Sequence, residues 1–322
     1  MGLSGTIPPH LGNLSFLVSL DLGGNNFTGT LPNQLSFLHK LHYLSLTNNS
    51  FTDSIPESIS NLTNLSYLDF SQNSLEGIIP PEMCKLQRLQ YLAFQYNHLS
   101  GIIPSWLSFL PKLEYLSLRN NSFTGSIPKS ISNLTNLYHL DFSSNSLEGI
   151  IPPEMSGLQR LEYLAFQDNH LSGNIPSSLF NISTLRALSL VSNELSGNLP
   201  NDLCANLPSI EIIYLGENQL SGQIPSNLSG CSQLKHLSLG INYFSGQIPA
   251  SIGDLKSLQL LQLPDNHLTG TLPLSIFNIS SLQALQLWRN KLYGNLSREL
   301  GNLTMLTKLD LDNNKFTGIN TI

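Results

Sequence analysis

Thirteen asparagines recur along the chain at a nearly constant interval: Asn25, Asn49, Asn73, Asn97, Asn121, Asn145, Asn169, Asn193, Asn218, Asn242, Asn266, Asn290 and Asn314. Successive members are 24 residues apart, apart from one step of 25 (218 − 193). A unit of that size cannot bury its own apolar face and must stack on its neighbours. The period therefore predicts a solenoid. Because it runs from end to end, we expect one domain over residues 1–322, about thirteen coils with partial repeats at both ends.

One unit shows how a coil closes. In residues 161–184, LEYLAFQDNHLSGNIPSSLFNIST, the spacing of Leu161, Leu164 and Phe166 predicts a short strand with one side buried, and Tyr163, Ala165 and Gln167 facing outward. Strands of successive coils run the same way and should form a parallel sheet. Asn169 follows at the corner, where peptide groups leave the sheet without ladder partners; a side-chain amide supplies both donors and an acceptor there. Leu171 returns to the core, Gly173 permits a torsion that a Cβ would oppose, and Pro176 fixes an extended segment. Leu179 and Ile182 close the coil. A buried Leu or Ile contributes about 2 kcal/mol, so only a stack can offset the ordering entropy of some two dozen residues.

Departures from the pattern are local. Asp53 stands at the turn-glycine position and Ser297 at the proline position, while the extra residue falls within NDLCANLPSI, residues 201–210, away from the sheet. Residues 51–100 recur as 123–172 with nine differences (positions 53, 57, 66, 67, 72, 84, 85, 90 and 96), a displacement of three coils. Cys84, Cys204 and Cys231 cannot all pair within the chain. Cys231 occupies a core Leu or Ile column and reads as a small buried hydrophobe. A Cys204–Cys231 bridge across adjacent coils is disfavoured, because the two fall in different columns and bridge geometry is strict.

The balance of 15 basic and 21 acidic residues gives a net charge of −6 with no cluster of Lys or Arg, which argues against nucleic acid. No apolar run approaches the roughly 18 residues of a spanning helix, and the opening residues carry no export signal. Gly2 and Thr6 formally match an acylation pattern, but related strings recur along the whole chain. The eight histidines form no ligand set: His98 and His170 lie three coils apart, too far for one zinc ion. Asp69 and Asp141 are equally far apart for paired carboxylates, and Asp310 with Asp312 is a common strand pattern. With no phosphate loop, serine elbow or Cys/His couple, we expect neither an enzyme nor a cofactor nor a metal.

The string N-x-L-x-G-x-[IL]-P, seen as NHLSGNIP and NQLSGQIP, resembles the plant-specific class of leucine-rich repeats over essentially the whole chain. The stretch NDLCANLPSIEIIYLGENQLSGQIPSNLSGCSQL is similar to ectodomains of immune receptor kinases. The resemblance implies an α/β-type leucine-rich repeat solenoid, a curved right-handed superhelix with a parallel sheet on its concave face and short 3-10 or irregular segments on its convex face. It also implies a module on the extracellular side of the plasma membrane that binds a peptide or protein ligand, with a co-receptor, in defence or developmental signalling. Such receptors carry a signal peptide, cysteine-paired caps, a membrane helix and a kinase, so the chain reads as a fragment whose uncapped ends favour self-association. The alternative is a secreted inhibitor of a cell-wall hydrolase resembling polygalacturonase-inhibiting proteins, which carry paired caps. An ice-binding surface would want a flat threonine or asparagine array, whereas this sheet face is aromatic and uneven.

Two groups of side chains on that face are candidates for ligand contact. Tyr43, Tyr67, Tyr91, Tyr115 and Tyr163 share one column, with His139 filling its gap, and offer a large amphipathic area; stacked tyrosines equally stabilise a parallel sheet. Tyr214, Leu260, Trp288 and Arg289, flanked by Glu217, Asp265 and Lys308, combine aromatic and Arg side chains as interface hot spots do. This second group is the preferred docking region. Twelve N-x-[ST] sequons, at Asn13, Asn26, Asn48, Asn61, Asn64, Asn120, Asn133, Asn181, Asn227, Asn278, Asn295 and Asn302, are candidates for glycosylation; sugars on Asn61 and Asn133 would leave the sheet face clear.

Overall fold

A computed structural model describes residues 2–318, which fall into two compact units divided after Leu161. In the first, Ser19–Asp21, Tyr43–Ser45, Tyr67–Asp69, Tyr91–Ala93, Tyr115–Ser117 and His139–Asp141 form a parallel sheet in order. Its register follows the repeat: Tyr43 pairs with Tyr67, Tyr67 with Tyr91, and Tyr91 with Tyr115. In the second unit, Tyr163–Ala165, Ala187–Ser189, Ile212–Tyr214, His236–Ser238, Leu260–Gln262, Ala284–Gln286 and Lys308–Asp310 do the same. There the extra residue appears as the pairing of Ala187 with Ile212. We call these strands the first sheet of each unit.

Behind the first sheet, the Leu, Ile and Phe columns of the inner coils are fully buried, among them Leu68, Leu92 and Leu116 in the first unit and Leu188, Leu261 and Leu285 in the second, whereas Leu309 on the last strand is exposed. Ala165 faces outward as expected, yet it is also buried, because larger neighbours cover so short a side chain. The asparagines hydrogen-bond around the corners of the coils. Asn97 accepts from the Leu75 N–H at 3.0 Å and donates through Nδ2 to Phe70 O and Phe94 O, both at 3.0 Å. Asn242 repeats this in the second unit, accepting from Leu220 N–H at 2.9 Å and donating to Leu215 O, Leu239 O and Gly240 O.

Proline opens nearly every five-residue 3-10 helix on the far side of a coil. Pro32 precedes Asn33–Phe37 with φ −72°, and its carbonyl accepts from Leu35 N–H at 3.0 Å. Ser297 takes over that place with φ −74°, so the torsion survives without the ring. Residues 201–206, which hold the extra residue, form turns instead. Asp53 takes the turn-glycine torsion, φ +62° against +74° at Gly173.

Two features differ from expectation. The segment after each corner asparagine is also a parallel strand: Asn26–Gly29 and Ser50–Phe51 join Ser4–Gly5 in a three-stranded sheet, and from Glu76–Gly77 onward the strands form a second sheet, as in His98–Ile102 with Ser122–Ser126 and in Gln219–Gln223 with Tyr243–Gln247. Cys204 and Cys231 form a disulfide, with Cα atoms 5.0 Å apart. The bridge joins different columns because Cys204 lies in the irregular coil, outside the common register. The next coil also approaches at Gly230, where a Cβ would come within 2.1 Å of the Cys204 carbonyl oxygen. Cys84 is free and half-buried. Among the described residues no helix is long and apolar enough to cross a membrane.

Candidate functional site

In the first unit the aromatic column is a continuous stack. Tyr43 and Tyr67 lie 4.4 Å apart between ring centroids, and Tyr67–Tyr91, Tyr91–Tyr115 and Tyr115–His139 are each 4.2 Å apart with near-parallel planes. That separation is slightly under the spacing of neighbouring strands, so the sheet itself sets the stack. Burial pushes the Tyr67, Tyr91 and Tyr115 hydroxyls well above their ordinary range and holds His139 down at about 4, so that ring is neutral near pH 7. With faces turned to one another, these rings offer a partner mainly their edges. Tyr163 holds the equivalent place on the opening strand of the second unit.

Below that column, Asp69 and Asp141 are buried, and each carboxylate accepts from the N–H and hydroxyl of the serine two residues on, Ser71 and Ser143. Burial raises the Asp141 carboxyl above the usual carboxylate range, against those hydrogen bonds and nearby Arg119. Bonded locally in this way, they are structural groups of the strand ends.

The second unit holds a cavity of about 320 Å³ on its first-sheet face. One outward column reads Val191, Gly216, Gly240, Pro264, Trp288. The two glycines leave a gap between larger residues, and a Cβ on Gly240 would meet the Pro264 ring at 2.6 Å. The adjacent column, Tyr214, Ser238, Gln262 and Gln286, forms a polar wall. Tyr214 Oη of that wall shares a hydrogen bond of 2.6 Å with His236 Nδ1 of the neighbouring column, and Gln262 Nε2 donates to Gln286 Oε1. Glu217 and Ile241 complete the lining.

Of the residues expected here, Tyr214, Trp288 and Glu217 line the cavity. Arg289 does not line it; it ion-pairs with Asp265 at 3.4 Å and lies 5.5 Å from the Trp288 ring. Leu260 and Lys308 belong to the tyrosine-type column, where Leu260 pairs with His236 and Ala284, and Lys308 with Ala284. Sequence reasoning passed over Gly216, Gly240, Gln262, Gln286 and Ile241. Aligning the coils shows the signal: two consecutive glycines where other coils place Thr47, Gln95 or Arg119.

Ile241 is unusual in its backbone. Each coil holds one residue at positive φ just before its asparagine, among them Asn48, Asp168, Glu217 and Asp265, and Ile241 takes it with φ +55° while 43% exposed. A β-branched side chain is the costliest choice for that conformation. A second depression, of about 360 Å³, is lined by Glu162, Arg186 and Glu211 among others, and Arg186 and Glu211 are already paired. Glu211 bridges Arg186 and Lys235, whose hydrogen bonds hold its carboxyl below the usual range. Of the twelve sequon asparagines all but Asn64 are exposed, and Asn64 Nδ2 donates to His39 O at 2.8 Å.

A family model described as leucine-rich repeat region matches residues 6–121, and one described as leucine rich repeat matches 118–171 and 208–268. No curated protein matches the chain. Among solved structures, the Arabidopsis receptor kinase HAESA, in complex with the peptide hormone IDA and the co-receptor SERK1, is 38% identical with a TM-score of 0.93, over 98% of this chain and 53% of that one. The plant peptide hormone receptor RGFR1, in complex with RGF2, is 30% identical with a TM-score of 0.80, over 98% and 58%. A leucine-rich repeat protein of Leptospira interrogans is 31% identical with a TM-score of 0.79, over 94% and 75%. The chain thus spans little more than half of the two receptor chains.

Proposed function

We propose that this chain, which belongs to the leucine-rich repeat family and matches plant receptor ectodomains, is the ligand-binding module of such a receptor. It holds an extended peptide against the first sheet, works with a co-receptor and stands on the extracellular side of the membrane. We read it as a binding module rather than an enzyme, serving defence or developmental signalling. The observation that carries the reading is the second unit's cavity, which sets Tyr214 and Trp288 around the gap left by Gly216 and Gly240. The likeness to HAESA and RGFR1, both in complex with their hormones, supports a peptide as the ligand. The Cys204–Cys231 disulfide supports an oxidising compartment, and the exposed sequons are available for glycans there.

Selection of a displayed random-peptide library on the purified chain tests this. Enrichment of one sequence family is expected, with binding lost at least tenfold in a Trp288→Ala/Arg289→Ala variant that keeps the native circular dichroism spectrum. Failure to enrich any family, or unchanged affinity in the variant, would refute it.

A further inference from the structure

The cavity's own chemistry narrows what part of a peptide enters it, an inference that rests on the docking reading above. Its volume of about 320 Å³ lies at the low end of ligand sites, which run from about 300 to 1,000 Å³, and suits one large side chain. Val191, Ile241, Pro264 and Trp288 give it an apolar side. In the adjacent column, the Gln262–Gln286 hydrogen bond uses one donor and one acceptor of the two amides. Among the described residues, Gln262 Oε1 and Gln286 Nε2 have no hydrogen-bond partner. Exchanging O and N in both amides again leaves one acceptor and one donor, so the complement does not depend on their orientation. A peptide group presents the matching donor and acceptor. Ile241 adds an independent sign: the position accepts Asn or Asp in other coils, yet here an apolar β-branched residue is held there in a strained conformation at the cavity wall.

We propose that the cavity receives one phenylalanine-sized apolar side chain of an extended peptide, packed against Trp288 and Ile241, while Gln262 and Gln286 bind the adjoining peptide group. Glu217 at the cavity wall disfavours an acidic side chain.

The probe is N-acetyl-phenylalanine methylamide, one ring between two peptide groups, titrated into the isotopically labelled chain and followed by NMR at the Trp288 indole, with Trp288→Phe used to assign that signal. A saturable shift in the millimolar range is expected. N-acetyl-alanine methylamide and N-acetyl-aspartate methylamide should bind at least fivefold more weakly. Gln262→Leu/Gln286→Leu should weaken the phenylalanine probe at least fivefold. Ser238→Tyr should abolish its binding by filling the gap from an outward strand position, as Tyr214 does on the neighbouring strand. Gly240→Ala is unsuitable because its new methyl group would strike Pro264. Equal binding of the phenylalanine and alanine probes, or full binding to Ser238→Tyr, would overturn the proposal. Should the phenylalanine probe fail while Trp288→Ala/Arg289→Ala still weakens a selected peptide, the cavity assignment falls and the docking reading stands.

Discussion

Replacing Asn97 by leucine removes both polar atoms of that side chain while keeping its branched shape. Leu75 N–H then loses its acceptor at a buried position, which costs about 1–3 kcal/mol. The carbonyls suffer less. Phe70 O still accepts from Asn73 Nδ2 at 3.1 Å, and Phe94 O from Asn121 Nδ2 at 2.9 Å, because each corner carbonyl serves two successive asparagines. Losing the second bond at both adds roughly 1 kcal/mol, so the whole change is about 2–4 kcal/mol. Urea unfolding followed by circular dichroism reads the total, and hydrogen exchange at the Leu75 amide reads the corner itself. Asn97→Asp separates the two roles. It keeps an acceptor for Leu75, but its carboxylate faces two carbonyl oxygens where Asn97 Nδ2 stands 3.0 Å from each, so its folded-state pKa rises above the unfolded value. A raised folded pKa gives stability that is full at low pH and lost as pH rises. The Asp variant should therefore approach the wild type near pH 3 and fall behind it by pH 7, while the Leu variant's deficit is independent of pH. If Asn97→Leu costs less than about 0.5 kcal/mol, or Leu75 exchanges no faster than in the wild type, the account of the ladder is wrong.

Ile241→Asn should stabilise the chain by about 1 kcal/mol, read as a higher urea midpoint, because Asn tolerates the left-handed conformation; it should also weaken the phenylalanine probe. Cys204→Ser/Cys231→Ser should cost about 3–4 kcal/mol by loop-closure entropy, for a separation of 27 residues, and dithiothreitol should lower the wild-type midpoint similarly. His139, held at about 4 against an ordinary 6.5, is depressed in the folded state, so the unfolded chain takes its proton first. Stability should fall by up to about 3 kcal/mol as pH drops from about 6.5 to 4, and midpoints at those pH values should show His139→Tyr relieved of the loss.

What could be read from the chain alone was whatever each coil must do for itself. Asn97, Leu92 and Pro104 solve local problems of polar satisfaction, burial and backbone direction, so they recur at the period and announce the fold. The second sheet escaped notice because a residue such as Gly125, at φ +70°, looks like a turn while its neighbours form strand hydrogen bonds. Cys204 and Cys231 escaped because the bridge depends on where one irregular coil places its chain, which no column records. The cavity is harder still, since it arises from missing side chains. Trp288 and Tyr214 stood out by type, whereas Gly216 and Gly240 resembled the many glycines of the repeat.

A periodic scaffold nevertheless makes its departures interpretable, because every coil supplies a control for every other. The corner before each asparagine requires a left-handed residue thirteen times over, counting Gly24 and leaving aside Asp53, and the chain meets it with Asn, Asp, Ser, Gln, Glu, Gly, Arg, Tyr and once with isoleucine. The left-handed torsion is therefore an architectural demand, and the conformation at Ile241 implies nothing about function. Its side chain does. A neutral replacement was open at that position and would have relaxed the backbone, so the isoleucine is best explained by where its exposed side chain sits, in the wall of the cavity that it lines with Pro264 and Glu217. If Ile241→Asn gains stability without any loss of probe binding, the strain has no such compensation and the cavity loses its independent support.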